Sequence, residues 1–314
     1  MIDGTVGAAS PADPAHRLPS RLVDDLHFAF GDHHSRAVHA KGIVLEGVFK
    51  PNAAATELTR AAVFGQSVPL VARFSNFTGI PTIPDTQPAA NPRGLALKFL
   101  MPDGANLDVV SHSFNGFPVA TAEEFSAFLR ALGASGPGSA APTKLDAFLA
   151  AHPIAKAFLT SQKPPPKSFA TAAYYGVNSF LFTRGSGDGR YVRYRFLPEA
   201  GEAYLDGAAI AAQTGDYLNS EIVRRVDHAP VRFRWYAQVA GYGDAIEDPS
   251  IAWPEHRPLV ELGTLELLRM GANDAEADKA LSFMPGSLLP GIEIADPMVT
   301  IRNAAYPVSY HHRQ

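Results

Sequence analysis

The amino-acid sequence predicts an α+β fold: an eight-stranded antiparallel β-barrel with inserted and flanking helices. Three observations predict it. Roughly eight segments alternate apolar and polar residues with a period of two. Clusters of Pro and Gly separate several of them, as in GIPTIPDTQPAANPRG. Segments with apolar residues at helical spacing lie between and after the strands, which is typical of a closed barrel with helical additions.

Composition restricts the class of protein. The chain has 314 residues, 46% of them hydrophobic, and a net charge of -4. These values allow a large core and give no broad basic surface for nucleic acid. No apolar run approaches the ~20 residues that cross a bilayer, and the N-terminus has no apolar signal region, so we expect a cytoplasmic protein without a membrane partner. The chain has no cysteine, which excludes disulfides and thiolate sites.

The N-terminal half is predicted to be mostly β-structure. Residues 1–20 are rich in Ala, Pro and Asp and are predicted to form an N-terminal arm, and residues 21–314 a single domain. A short amphipathic helix, RLVDDLHFAFG, follows and ends at Gly31. Four strand-like segments come next: HAKGIVLEGVFK, VPLVARFSNF, RGLALKFLM and LDVVSHSF.

The C-terminal half combines helices and strands. EEFSAFLRALGAS and TKLDAFLAAHPIAKAFLTSQ are predicted to be helical, and SFLFTRGSGDGRYVRYRFLPEAG is predicted to be a hairpin with a Gly-rich turn. The next predicted elements are a helix at YLNSEIVRRVDH, strands at FRWYAQVAGY and HRPLVELGTLELLRM, and a helix at NDAEADKALSF. The GSGDG sequence lies in the hairpin turn, and no P-loop, dinucleotide-binding or GxSxG motif is present.

The segment DPMVTIRNAAYP predicts a short final helix from Met298 to Tyr306. Asp296 can cap it and Pro307 is expected to end it. Arg302 and Tyr306 are four residues apart and therefore share one face. A guanidinium beside a phenol favours the phenolate, and tyrosinate is a known axial ligand of haem iron. The alternative is a packed terminal helix with an exposed arginine.

His39 is the leading candidate for acid–base chemistry among 11 histidines, although a histidine at a strand start is often only structural. Strand alternation puts Arg73 and Ser75 on one face, where they could supply a cation and a hydroxyl that orients an imidazole. His112, Ser113 and Asn115 lie beside a turn, and an amide there could hold a small polar ligand; turn chemistry explains Asn115 equally well.

Two other groups of residues are open to interpretation. His33 and His34 together with His39 could bind a divalent metal, but their spacing matches no established ligand pattern. Phe125 and Phe128 lie on one side of a predicted helix and are expected to be core aromatics. His311 and His312 are given no role.

These segments, in this order, resemble the haem catalase superfamily, and the chain is similar in size to its small members, the catalase-related peroxidases. The resemblance runs from about Arg21 to Tyr306. It rests on RAVHAKG, ARFS followed by NPRGLALKF, LDVV, YYGVNSFLFT, YVRYRFLPEAG, WPEHRPLVELGTLEL, LLPGIE and RNAAY. Because only a few residues follow Tyr306, the resemblance implies that the C-terminal helical domain of full-length catalases is missing.

The resemblance implies a haem b cofactor and a role for particular residues. Tyr306 would be the metal ligand, and Arg302 would keep it ionised. His39 would be the distal acid–base group, oriented by Ser75. The distal amide would be Asn115 or Ser113, because a short insertion displaces Asn115. Further expected haem contacts are Arg36 and Arg73 at the propionates, Phe125 over the distal pocket, Val38 and Met298.

The activity implied is that of a haem-dependent peroxidase, which reduces hydrogen peroxide or organic peroxides with small organic electron donors and has weak catalase activity. One alternative is a hydroperoxide isomerase similar to allene oxide synthase, against which Val38 argues. Another is a non-catalytic haem-binding barrel, against which His39 argues. We expect a homodimer.

Overall fold

A computed structural model describes residues 14–314 of the chain. It contains nine strands in one antiparallel sheet. In chain order they are β1 (Gly42–Pro51), β2 (Val68–Ser75), β3 (Gly94–Leu100), β4 (Asn106–His112), β5 (Tyr174–Thr183), β6 (Gly189–Pro198), β7 (Val231–Val239), β8 (Leu259–Met270) and β9 (Ile292–Ile294).

The first eight strands close into a barrel. Their order is β4-β3-β2-β1-β8-β7-β6-β5, and β4 pairs with β5 through His112 and Tyr175. The three-residue strand β9 pairs with the far half of β5, from Phe180 to Phe182. The predicted eight-stranded antiparallel barrel is therefore confirmed, and β9 is a short addition to it.

Aromatic side chains fill the barrel. On β6, the alternate residues Val192, Tyr194 and Phe196 are fully buried, as period-two patterning requires. Trp235 on β7 lies at the centre, with ring centroids 5.0 Å from Phe99 and 5.5 Å from Phe196. Because this core is continuous and closely packed, the barrel wall is a rigid support for side chains on its outer face.

Eight α-helices accompany the barrel in the described residues. They are α1 (Pro14–Phe30), α2 (Ala122–Gly133), α3 (Lys144–Ala151), α4 (Pro153–Thr160), α5 (Gly207–Ala211), α6 (Tyr217–His228), α7 (Ala275–Ala280) and α8 (Pro297–His312). A second apolar cluster joins α1, α2, α4 and α8 through Leu26, Phe128, Ala155 and Ala305. No helix in residues 14–314 is both long enough and apolar enough to span a membrane.

Two predicted helices have different bounds in the structure. The helix expected to begin at Arg21 begins at Pro14, and the remaining part of the predicted arm, residues 1–13, lies outside the described residues. The segment TKLDAFLAAHPIAKAFLTSQ is helical as expected, but it forms two helices, α3 and α4. Pro153 causes the division, because proline disfavours helical geometry at the residue before it and is well suited to start a new helix.

The terminal helix does not end at Pro307. Asp296 caps α8 and Pro297 opens it, as predicted, but the helix continues to His312. Proline removes one hydrogen bond of the helix, and contacts beyond it compensate. The Arg313 guanidinium donates to the carbonyls of Lys279 and Leu281, at 3.2 and 2.8 Å. The prediction that Pro307 stops the helix was therefore wrong.

Candidate functional site

One cavity lies between the outer face of the barrel and the helices around it. Its lining comes from α1, the segment that leads into β1, strands β2 to β5, α2 and α8. Much of it is apolar, with Leu22, Val23 and Leu26 from α1, Phe125 from α2 and Met298 from α8. Such an apolar cavity with a few polar groups is typical of a site for a small molecule or cofactor.

His39 enters this cavity from a strained backbone position. Its φ is +58°, a conformation that residues other than glycine rarely adopt. Two hydrogen bonds hold it: the His39 N–H donates to the Phe77 carbonyl at 2.8 Å, and Arg73 Nη1 donates to the His39 carbonyl at 2.8 Å. Strain held in this way is common where a side chain must be aimed at a ligand.

Hydrogen bonds to the His39 ring determine which of its nitrogens carries the proton. Nδ1 lies 3.0 Å from Ser75 Oγ and 3.1 Å from the Asn76 carbonyl oxygen. Because a carbonyl oxygen only accepts, the neutral ring carries its proton on Nδ1, which leaves Nε2 as a free base. Burial, followed by the charges of His112, Arg73 and Arg302, lowers the pKa of His39 to about 3, so the ring is neutral at pH 7.

The polar group behind His39 is itself anchored. Asn76 Nδ2 donates to Asp85 Oδ1 at 2.8 Å, and Arg93 donates to Asn76 Oδ1. Asp85 is fully buried and forms an ion pair with Lys41 at 2.8 Å. Because each member of this network has a partner, the Asn76 carbonyl is held in a fixed place for the imidazole.

Four residues that pair across strands β2 to β5 form a row in the barrel wall next to His39. Ser75 pairs with Gly94, Gly94 with His112, and His112 with Tyr175. A Cβ atom on Gly94 would come within 2.4 Å of Ser75 Oγ and 2.8 Å of His39 Nδ1. The His39 ring therefore lies over Gly94, and only glycine leaves room for it.

His112 is the second imidazole of this wall. It is buried and lines the cavity. The Phe114 N–H donates to its Nδ1 at 3.3 Å, so the neutral ring carries its proton on Nε2, which has no hydrogen-bond partner among the described residues. Burial and the charge of Arg302 lower the pKa of His112 to about 3. Next to a free base on His39, His112 thus offers a free N–H donor.

The structure does not bring the predicted amide to the cavity. Asn115 and Ser113 are both absent from its lining. Ser113 Oγ instead accepts a hydrogen bond from the Arg93 N–H at 2.9 Å. The reason is geometric: β4 ends at His112 with that side chain on the cavity face, and the chain then turns away before Asn115.

Tyr306 and Arg302 line the same cavity from α8. Arg302 Nη2 donates to Tyr306 Oη at 2.5 Å, and Nη1 donates to Asn178 Oδ1 at 2.7 Å. Asn178 Nδ2 donates in turn to Asp296 Oδ2 at 2.6 Å, while the other oxygen of Asp296 caps α8. A guanidinium fixed at this distance stabilises negative charge on the phenol oxygen.

Arg36 and Arg73 also line the cavity, where they share one carboxylate. Arg73 Nε donates to Asp278 Oδ1 at 3.0 Å, and Arg36 donates to Asp278 Oδ2. Burial and the charge of Arg73 lower the pKa of Arg36 to about 9. Burial alone would raise the pKa of Asp278, but Arg73 and Arg36 outweigh it and lower this pKa. The two arginines thus form a cationic site that holds a carboxylate.

Most of the residues predicted from the sequence meet in this cavity, and Asn115 is the exception. The predicted residues that line it are Arg36, Val38, His39, Arg73, Ser75, Phe125, Met298, Arg302 and Tyr306. The contributions of Asn76, Asn178 and Asp278 were not predicted from the sequence. Asn76 directly follows Ser75 in the predicted strand VPLVARFSNF, so its position near the site could have been predicted. Asn178 and Asp278 had no such signal, because their partners are far away along the chain.

Fold and site together define a closed antiparallel barrel with an imidazole base and an arginine-paired phenol in one apolar cavity. The family model described as Catalase matches residues 23–314. The chain belongs to the catalase family. It is 34% identical over 302 residues to a catalase-related peroxidase of Synechococcus elongatus, covering 94% of this chain and 88% of that protein.

A second relative agrees with this assignment, and two solved structures share the fold. A catalase-related peroxidase of Mycolicibacterium paratuberculosis is 33% identical over 279 residues, with 87% of each chain covered. A bacterial catalase structure superimposes with a TM-score of 0.78 at 24% identity, over 99% of this chain and 63% of the other. Catalase A of Saccharomyces cerevisiae gives 0.78 at 22% identity, over 89% and 61%. These two structures show the barrel fold.

Proposed function

We propose that the protein is a haem-dependent peroxidase that reduces hydrogen peroxide or organic peroxides with small organic electron donors. A weak catalase activity accompanies it, and the cofactor is haem b. One observation carries the proposal: His39 and Tyr306 line the same apolar cavity. His39 has a free Nε2, and Tyr306 accepts a hydrogen bond from Arg302.

The residues present fit haem. Tyr306 would hold the iron through its phenol oxygen, which accepts a hydrogen bond from Arg302. The cationic site of Arg36 and Arg73 already holds a carboxylate, the chemical group of a haem propionate. The unpartnered Nε2 of His112 leaves a polar atom for a small ligand beside the cofactor.

The chain's own residues would move and hold the protons of the reaction. When bound, haem supplies an iron centre that passes electrons from the donor to the peroxide. His39 Nε2 would take the proton from one peroxide oxygen and return it to the other as the O–O bond breaks, so that water leaves. Two electrons and two further protons complete the reduction to two water molecules. Ser75 and the Asn76 carbonyl keep the His39 ring in the tautomer that this requires.

His112 would serve as the hydrogen-bond donor that the distal amide was expected to be. Its Nε2–H can donate a hydrogen bond to the peroxide while His39 accepts from it. The two neutral rings would therefore bind the peroxide as one acceptor and one donor. A fixed donor at a position where negative charge develops lowers the barrier without taking part in proton transfer.

Optical spectroscopy of the haem-loaded protein tests the proposal. Mixing with hydrogen peroxide should change the Soret band within milliseconds to seconds, and a phenolic donor should restore the starting spectrum. His39→Ala should bind haem and lose the rapid change. Haem binding without any spectral response to peroxide would refute the proposal. Rearranged products from a fatty acid hydroperoxide, formed without a donor, would show the isomerase activity instead.

A further inference from the structure

The last turns of α1 and α8 meet outside the cavity at a cluster of three side chains, His27, Asp32 and His312. One ligand atom from each lies within 4.8 Å of those of the other two. His312 Nε2 is 3.6 Å from Asp32 Oδ2, and the rings of His27 and His312 have centroids 4.5 Å apart. None of the three residues lines the cavity.

We propose that His27, Asp32 and His312 bind a divalent transition-metal ion of the zinc type at the surface where α1 and α8 end. Two imidazoles and one carboxylate are a common protein ligand set for zinc, with water completing the coordination. Magnesium, which prefers oxygen ligands and an octahedral shell, fits this set poorly.

The helix ends supply a second physical reason for a cation here. His27 lies in the last turn of α1 and His312 in the last turn of α8. The final carbonyl groups of a helix carry a partial negative charge, which stabilises a nearby cation. The ends of both helices and the Asp32 carboxylate therefore favour a cation near this cluster.

Two of the three proposed ligands are accessible to solvent. The side chains of His312 and Asp32 are 40% and 42% exposed. An ion can thus enter without unfolding, and we expect a Kd on the order of micromolar, weaker than a buried four-ligand site.

The ion would connect three segments that also form the cavity. Leu22, Val23 and Leu26 line it from α1, and Tyr306 lines it from α8. Asp32 belongs to the short segment between α1 and His39. Ala37 N–H already donates to Ser309 Oγ at 3.4 Å, a weak link between that segment and α8. A bound ion would add a stronger link at the end of the same pair of segments.

Isothermal titration of the full chain with Zn²⁺ tests the site, using haem-free protein from which any affinity tag has been removed. The wild type should bind one ion tightly enough to measure, and Mg²⁺ at the same concentrations should give no comparable binding. His312→Ala and Asp32→Asn should each weaken Zn²⁺ affinity at least tenfold. His311→Ala is the matched control, because it removes the adjacent exposed imidazole of the same helix turn.

Thermal unfolding with and without Zn²⁺ supplies a second readout. Zn²⁺ should raise the Tm of the wild type and of His311→Ala, and should leave that of His312→Ala unchanged. Equal Zn²⁺ affinity in the wild type and His312→Ala, or equal losses in His311→Ala and His312→Ala, would overturn the proposal. Both readouts use haem-free protein and no peroxide, so their result is independent of the peroxidase proposal.

Discussion

Tyr306 owes its chemical character to a single short contact. Arg302 Nη2 lies 2.5 Å from its oxygen, and the next aromatic residue of the same helix face, Tyr310, has no such partner in the cavity. A tyrosine becomes a ligand through its charged neighbours and its position, since phenol side chains alone are common in packed helices. The proposed proximal role of Tyr306 therefore depends on a pair of residues rather than on one.

Replacing Tyr306 by Phe tests the proximal role. The change removes the oxygen and little else, so the apo protein should fold with an unchanged circular dichroism spectrum. We expect haem affinity to fall at least tenfold, or the Soret and charge-transfer bands of bound haem to shift. Tyr310→Phe, one turn further along α8, is the control and should bind haem as the wild type does. Identical spectra for wild type and Tyr306→Phe would contradict the assignment.

His112 allows a sharper comparison, because its expected role is that of a hydrogen-bond donor. His112→Gln keeps an N–H donor at the position of Nε2 and should retain peroxide reduction within about threefold. His112→Val removes the donor and should lower kcat/KM for hydrogen peroxide by about 10²-fold, the usual effect of deleting one fixed donor. Haem spectra of both variants check that the cofactor still binds. Equal rates in the two variants would exclude a donor role.

At the scale of elements, α7 matters more than its six residues suggest. It brings Asp278 between Arg36 and Arg73, at sequence separations of 242 and 205 residues. A carboxylate in that place competes with any haem propionate for the same guanidinium groups. In the described structure α7 therefore holds the cationic site in a preformed but occupied arrangement.

Asp278→Asn should release this competition. The neutral amide binds the two guanidinium groups less strongly, so we expect haem affinity to rise about fivefold, which corresponds to about 1 kcal/mol. Titration of the apo protein with haem measures it. Haem with esterified propionates is the control, because its affinity should not increase. A similar gain for both cofactors, or no gain for either, would contradict a propionate site at Arg36 and Arg73.

Local patterns predicted the elements well where the physical cause is also local. Period two in ARFS was enough to put Arg73 and Ser75 on one face, and Asp296 before Pro297 was enough to locate the start of α8. The end of α8 was mispredicted, because contacts of Arg313 with residues near 280 carry the helix past Pro307. Asn115 was misplaced because its position depends on where β4 leaves the barrel.

Partners distant in sequence could not be predicted at all. The pairing of Asp278 with Arg36 and of Asn178 with Arg302 depends on how the whole barrel brings separate segments together. The residues that flank Asp278 do not distinguish it from an ordinary surface position, and the motif YYGVNSFLFT gave Asn178 no partner. The fold itself was predictable, because eight alternating segments leave few arrangements that bury their apolar faces.

The whole molecule responds to acid through its buried histidines. The pKa of His112 is near 3 in the folded protein and near 6.5 when unfolded. Below pH 6.5 the unfolded chain therefore binds more protons, and stability falls as pH falls toward 3. Between pH 7 and pH 5 this histidine alone should cost about 2 kcal/mol of unfolding free energy in the apo protein.

Urea unfolding of apo wild type and apo His112→Asn at pH 7 and pH 5 measures this effect. Carboxylate contributions are common to both proteins and cancel in the comparison. The variant should lose about 2 kcal/mol less than the wild type over this range. A parallel loss in both proteins would show that His112 does not reside in an environment that disfavours its charged form.

The chain of contacts from Asp296 through Asn178 and Arg302 to Tyr306 also bears on the timing of assembly. Asn178 lies in β5 where the pairing of β5 with β6 shifts its register, between Gly176 and Phe180. The carboxylate that starts α8 and the amide that holds Arg302 are thus separated by more than a hundred residues. Haem that arrives before β5 and α8 have docked would meet a Tyr306–Arg302 pair that Asn178 does not yet hold in place. We therefore expect cofactor capture to be a late event, which follows closure of the barrel rather than guiding it.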